Sequence, residues 1–229
     1  MKITIIIPIL NEASTIGKLL SHLETGCDAQ NIEEILVIDG GSTDESQAIA
    51  QEYEQVRLLT APKGRAKQMN LGAKNAKGEI LYFVHSDSLP PKKFDHDIIA
   101  AVRNHNIAGC FRMRFDRWHW WLITISWFTR FNSPICRGGD QSLFITKTLF
   151  DTLGGYDETF IIYEDNNFTQ KLYAMNTFTV LQKTIVSSAR MYTIHGIWKL
   201  QYHFFRIHLL HWSGASPEQL YQYYRKHIA

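Results

Sequence analysis

The chain has 229 residues, 45% hydrophobic and 20% charged, a balance that suits one globular domain and excludes a disordered or fibrous protein. Lys plus Arg number 24 against 22 for Asp plus Glu, a surplus of 2 that points to no nucleic-acid partner. Cys27, Cys110 and Cys136 are widely spaced and form no CxxC pair, so a disulfide framework and a zinc knuckle are excluded and reduced thiols in cytosol are expected.

A strand is expected over 3–9, "ITIIIPI". Pro8 interrupts this apolar run and Asn11 and Glu12 close it, which is unlike a signal peptide. A helix over 15–24, a strand over 34–39, a helix over 44–54, a strand over 56–60, a helix over 65–76 and a strand over 79–84 follow. Continuous apolar strands separated by helices predict a mostly parallel central sheet with helices on both faces, an α/β fold. The second half is less regular. A helix is expected over 92–104, a strand over 107–115, a Trp-rich helix over 118–131, a loop entering a strand over 138–146, a short helix and turn over 148–158 and a helix over 164–175. Two helices, 196–212 and 216–227, make a C-terminal extension. The whole is expected to be one domain, with 1–110 as its first half, 111–190 as its second and 191–229 as the extension. No segment reaches the roughly 18–20 apolar residues of a membrane span; "WHWWLITISWF" (118–128) comes nearest.

In a parallel sheet, ligands gather at the carboxyl ends of the strands. Here those ends carry "NE" (11–12), "DGGSTD" (39–44), "APKGRA" (61–66) and "HSDS" (85–88). Ser42 and Asp44 suit a helix cap, whereas Asp39 precedes the cap at the strand tip, where a carboxylate can accept from a base or ribose hydroxyl. The first strand is followed by "PILNEAST", which lacks GxGxxG, and no GxxxxGK[ST] occurs, so dinucleotide-binding and P-loop chemistry are excluded. His85 and Asp87 suit a hard divalent cation such as Mg²⁺, which takes few protein carboxylates and fills its shell from water and phosphate. "YEDNNF" (163–168) places Glu164 and Asp165 at a helix start, where the dipole favours negative charge; a carboxylate in a crevice there is equally a general base.

Taken in order, "IIIPILNE" (5–12), "VIDGGSTD" (37–44), "GRAKQMN" (64–70), "FVHSDS" (83–88), "GGDQ" (138–141) and "GGYDETFIIYEDNNF" (154–168) resemble the successive motifs of family-two glycosyltransferases with the GT-A fold. The GRAxQMN and HxD variants are similar to the small bacterial branch described as radical-SAM or selenodomain-associated transferases. This resemblance implies a nucleotide-diphosphate sugar donor, transfer of a hexosyl or similar group, a divalent cation (Mg²⁺ or Mn²⁺) and inversion at the anomeric carbon. It implies that Pro8 and Glu12 border the nucleoside, that Asp39 faces the base and that Arg65 lies near base or diphosphate. Asp87 matches the last acid of the metal-binding DxD element, Asp165 the catalytic base of the ED pair, and His195 falls where some GT-A enzymes add a metal ligand. Asp140 and Gln141 are expected to orient sugar or acceptor hydroxyls. His85 replaces the first acid of DxD, and a neutral imidazole brings no negative charge to a cation. A sugar nucleotidyltransferase or a non-catalytic nucleotide-sugar-binding protein are the alternatives.

The segments 118–131 and 197–212 combine Trp, His and basic residues with Leu and Ile. Mutual packing or a homodimer contact is the first expectation for them, and peripheral contact at the inner face of a membrane the second.

Overall fold

The computed structural model describes residues 1–228. Its strands are β1 (Ile3–Ile9), β2 (Ile32–Asp39), β3 (Val56–Thr60), β4 (Ile80–Phe83), β5 (Ser88–Leu89), β6 (Ala108–Phe115), β7 (Leu143–Thr146) and β8 (Phe178–Ser187). They form an eight-stranded sheet in the order β3-β2-β1-β4-β7-β6-β8-β5. The pairs β1–β2, β2–β3, β1–β4 and β6–β8 are parallel, and β4–β7, β6–β7 and β5–β8 antiparallel. The helices are α1 (Ala13–Gly26), α2 (Ser46–Gln51), α3 (Arg65–Asn75), α4 (Phe94–Arg103), α5 (Trp120–Phe128), α6 (Lys147–Thr152), α7 (Glu164–Ala174), α8 (Arg190–His195), α9 (Ile197–Trp212) and α10 (Pro217–His227).

Alternation decides which helix covers which face. Ile5, Ile7 and Ile9 of β1 pack with Ile16, Leu19, Leu20 and Leu23, one face of α1, and with Ile98 and Val102 of α4. Ile6 points the other way, into Met69 and Ala73 of α3 and Phe168 and Leu172 of α7. The backbone of α3 comes close because Gly72 has no side chain: a Cβ there would stand 2.5 Å from Ile6 Cγ2. Pro8 is tolerated in a central strand for a related reason. The Ile6 carbonyl accepts from Val84 N toward β4, so Pro8 turns its missing N–H the same way, beyond the last β1–β4 pair at Ile6 and Phe83. A third apolar cluster joins Leu122 of α5, Leu200 and Ile207 of α9 and Leu220 of α10. Ser216 and Gln219 close a capping box at the start of α10, with Pro217 in its first turn.

Several boundaries differ from the sequence expectation. α1 starts earlier, while α2, α5 and α6 are shorter than the segments expected for them. β5, β8 and α8 have no counterpart among the expected elements. β8 alternates poorly, with Gln182 and Lys183 exposed at its centre and a register shift opposite Phe111 and Arg112, so pairing with β6 rather than pattern sets it.

Candidate functional site

Two strand-end loops interlock at the carboxyl edge of the sheet. Asn11 N donates to Ser42 Oγ at 2.9 Å, Glu12 N to Ser46 Oγ at 2.7 Å and Ala13 N to Asp44 Oδ2 at 3.1 Å. Ser42 and Asp44 therefore hold the loop after β1, and Asp44 Oδ1 also accepts from the N–H of Ser46, the first residue of α2, at 3.0 Å. Asp39 is fully buried and serves its own turn, accepting from Gly41 N at 2.9 Å, Ser42 N at 3.1 Å and Gln47 Nε2 at 2.8 Å. Pro8 is buried in β1 on the α3 side, one strand position before the loop.

The "GRAKQMN" stretch builds the floor. Gln68 Nε2 donates to the carbonyls of Ile9 and Ile38, both at 2.7 Å, and so fixes the spacing of the β1 and β2 tips. Asn70 donates to Tyr156 O at 2.9 Å and accepts from Tyr156 N at 2.9 Å, tying α3 to the "GGYDE" turn before α7. Arg65, at the start of α3, reaches across to α7, where its Nη1 lies 3.2 Å from Glu164 Oε1. Glu164 is almost wholly buried, and among the described residues its Oε2 has no hydrogen-bond partner. Burial pushes its carboxyl up, against the pull of Arg65.

His85 follows β4 and stands between two carboxylates, its Nδ1 3.5 Å from Asp140 Oδ1 and its Nε2 3.5 Å from Asp165 Oδ2. Burial and Arg65 would lower its pKa, yet Asp140 and Asp165 overcome both and lift it to about 10, so it carries a positive charge at neutral pH. Asp165 is desolvated too, but the imidazolium and Arg65 hold its carboxyl below the usual range. It is ionised. Gly139 lies against this pair: a Cβ there would overlap the Asp165 carboxylate and come within 2.7 Å of His85 Cε1.

Asp87 lies near His85 and Asp140. Its carboxyl is pushed up by burial and by the neighbouring charges of Asp140 and Glu12, against His85 and Arg190, with no hydrogen bond acting to lower it. Glu12 accepts from Arg190 Nη2 at 3.1 and 3.2 Å, a cation from the first turn of α8 that sequence reasoning missed. Around this cleft Glu12, Asp87, Asp140, Glu164 and Asp165 outnumber Arg65, Arg190 and the imidazolium. A carboxylate with no side-chain hydrogen-bond donor among the described residues, crowded by a second carboxylate in acid-rich surroundings, fits a divalent cation's donor set.

Two expected residues stand apart. Gln141 is buried, and its amide is engaged by Arg137 Nη1 at 2.6 Å and Cys136 O at 2.7 Å, so it shapes the loop. Arg137, buried and unanticipated, also binds the carbonyls of Thr129 and Phe131, anchoring the 129–141 loop. His195 ends α8, and no hydrogen bond or ion pair links it to Asp87 among the described residues. Asp28, Asp95 and His96 do bring ligand-type atoms within 4.8 Å of one another. That group lies beside the amino end of β2, away from the cleft, and is tied by Asp95 accepting from Asp28 N and Asn31 Nδ2.

Residues 4–177 match the family model described as glycosyl transferase family 2. The chain is 30% identical over 127 residues to an undecaprenyl-phosphate 4-deoxy-4-formamido-L-arabinose transferase of Aeromonas hydrophila subsp. hydrophila, covering 51% of this chain and 39% of that protein. The enzyme of the same description from Edwardsiella ictaluri is 27% identical over 126 residues, again 51% and 39%. The matched stretch is thus well under half the length of these relatives. Among solved structures, S. aureus TarS 1-349 in complex with UDP-GlcNAc superposes with a TM-score of 0.70 at 24% identity, over 82% of this chain and 58% of that one. TarS 1-349 in complex with UDP gives 0.67 at 22% identity, over 82% and 61%. The shared architecture is the GT-A fold.

Proposed function

We propose, for a chain that belongs to glycosyl transferase family 2 and is a glycosyltransferase, that it moves a sugar from a nucleotide-diphosphate donor to an acceptor hydroxyl with inversion, Asp165 acting as general base. The observation that carries this reading is the convergence of Arg65, His85, Asp140, Glu164 and Asp165 from distant segments at one edge of the sheet. TarS, with the same fold, was solved with UDP and UDP-GlcNAc, which makes a uridine diphosphate sugar the first donor to try. The narrower likeness to the radical-SAM or selenodomain-associated branch rests on "GRAKQMN" and "HSDS". In this reading 1–110 binds the donor, 111–190 supplies the base and the acceptor side, and the three free cysteines suit a reducing compartment.

In the reaction, the acceptor oxygen bonds to the anomeric carbon as the bond from that carbon to the diphosphate oxygen breaks, the electron pair leaving on the nucleoside diphosphate. The acceptor proton goes to Asp165, which is ionised and held at the start of α7. His85 and Arg65 set its position and charge. In this reading Arg65 and the imidazolium supply fixed positive charge to offset the negative charge developing on the leaving group, and Asp140, half exposed, orients sugar hydroxyls. Asp87 would hold Mg²⁺ or Mn²⁺, which supplies Lewis-acid neutralisation of the departing diphosphate when bound.

The test is a thermal-shift panel of nucleotide sugars with and without Mn²⁺ or Mg²⁺, since a ligand that binds the folded form raises its midpoint. A uridine or guanosine diphosphate sugar is expected to stabilise the parent, with the shift reduced in Asp87→Ala and Asp39→Ala, each read against its own unliganded midpoint. Asp165→Asn should keep the shift and lose turnover. Equal shifts in the parent and both alanine variants would remove Asp39 and Asp87 from the site.

A further inference from the structure

α5 and α9 pack through their inner faces and leave two aromatic stripes outside. On α5, Trp120, Ile123 and Trp127 recur at helical spacing; on α9, Trp198, Tyr202, Phe205 and Trp212 do the same, and each of these is between 45% and 58% exposed. The stripes meet where the Trp120 and Trp198 rings stand 5.7 Å apart, and Trp118, 83% exposed, extends the surface. So the expected mutual packing is real but one-sided. Contiguous exposed aromatic surface of this kind calls for a partner.

Charge says which partner. Between Asp116 and Asp140 the chain has no acidic residue, and between Asp165 and Glu218 it has none either. Within those stretches Arg117, Arg130, Lys199 and Arg206 flank the rings, with the Arg130 guanidinium 4.6 Å from the centre of the Trp127 ring. A second copy would set these cations against each other with no acid to receive them. An anionic surface receives all of them. Trp and Tyr rings with an apolar body and a polar edge are suited to headgroup depth, with Lys and Arg above them. Among the described residues no helix is long and apolar enough to cross a membrane, so the surface lies on a bilayer and does not span it.

We infer that the α5–α9 aromatic face docks the protein on an anionic lipid bilayer. The face also connects to the cleft. Tyr163, the residue before Glu164, donates to or accepts from His208 of α9 at 2.8 Å and packs on His211, so the helix resting on lipid also braces the start of α7. An acceptor carried in that bilayer would meet the cleft from the α9 side. Docking itself does not depend on which sugar is moved, and its test uses neither donor nor turnover.

All six tryptophans fall within 118–127 and 198–212, so intrinsic fluorescence reports on this face directly. The full chain is mixed with phosphatidylcholine vesicles, with and without phosphatidylglycerol, whose acyl chains are brominated. The expected result is a blue shift and quenching with the anionic vesicles, weakened by high salt, and a loss of at least about tenfold in vesicle affinity for Trp120→Ser combined with Trp198→Ser and for Lys199→Glu combined with Arg206→Glu. Thermal midpoints of both variants check that they fold; the pairs are exposed or half-exposed. Absence of quenching with every vesicle, equal binding to neutral and anionic vesicles, or unchanged binding by both variants would overturn the inference. So would a lipid-free dimer in sedimentation velocity that disappears in the Trp120→Ser and Trp198→Ser variant.

Discussion

His85 Nε2 lies 3.5 Å from Asp165 Oδ2, joining the end of β4 to the first turn of α7 through an imidazolium. Replacing it with an acid should therefore be destabilising in the absence of metal. His85→Asp puts a further carboxylate between Asp140 and Asp165, and like charges at this distance repel. In chelator the midpoint should fall by several degrees, and Mn²⁺ should recover it by more than it raises the parent's. A cation response equal in both proteins would mean that the cleft carboxylates do not share an ion.

Gly139 sets how closely the 138–141 turn covers the same pair. Gly139→Ala forces either the turn or Asp165 to move, because the added methyl overlaps the carboxylate. The expected cost is about 1–3 kcal/mol of stability, typical of an overpacked site, together with turnover reduced at least about tenfold by the displaced base. Unchanged kinetics in a stable variant would show that Asp165 need not sit where it does.

Arg65 and Glu164 test the second pair. Arg65→Met strands a buried carboxylate whose Oε2 already has no partner. Water screens the half-exposed guanidinium, so the loss should be about 1–3 kcal/mol, below the cost of breaking a fully buried pair. Adding Glu164→Gln should return part of it, with a coupling of about 0.5–3 kcal/mol in a denaturant-melt double-mutant cycle. Strict additivity would dissolve the pair.

Acid should loosen α9. Burial lowers the pKa of His208 and of His211, and the neighbouring His211 lowers that of His208 further. Each folded imidazole then binds fewer protons than its unfolded counterpart, so unfolding takes up protons and stability falls as pH drops below about 6.5. Denaturant midpoints across that range should show the slope in the parent and a flatter one in His208→Gln, which keeps a partner for the Tyr163 hydroxyl. An identical slope would place the acid sensitivity elsewhere.

The first half of the sheet was legible because β1, β2 and β4 are buried on both faces and their Ile and Val runs leave no other solution. The carboxyl edge was legible for the same reason: once the strands are parallel, Glu12, Asp39 and Asp87 fall at one end. What each carboxylate does there was not. Asp39 and Gln141 also hold their own loops, Asp39 accepting from Gly41 N and Gln141 donating to Cys136 O, a role set by loop geometry that the sequence does not display. Arg190 was missed because its partner, Glu12, is chosen by tertiary contact and no local spacing announces it; Arg137 was missed although Gln141, Phe131 and Thr129 are near it in sequence, because they meet it in an irregular loop with no periodicity to read. The one signal for Arg190 lies in the "SSAR" stretch, a cation just after a β-branched run whose polar interruptions hide the strand.

β5 pairs with β8: Ser88 lies opposite Ser187 and Leu89 opposite Val186, while Ser188 N donates to Asp87 O. The segment carrying Asp87 is thus pinned by residues that leave the ribosome long after it. Closing so large a loop costs entropy before any contact offsets it, so a nascent chain arrested ahead of β8 should already protect its β1–β4 amides from hydrogen exchange while Asp87 remains unplaced. The protein acquires its scaffold early in synthesis and its cleft late.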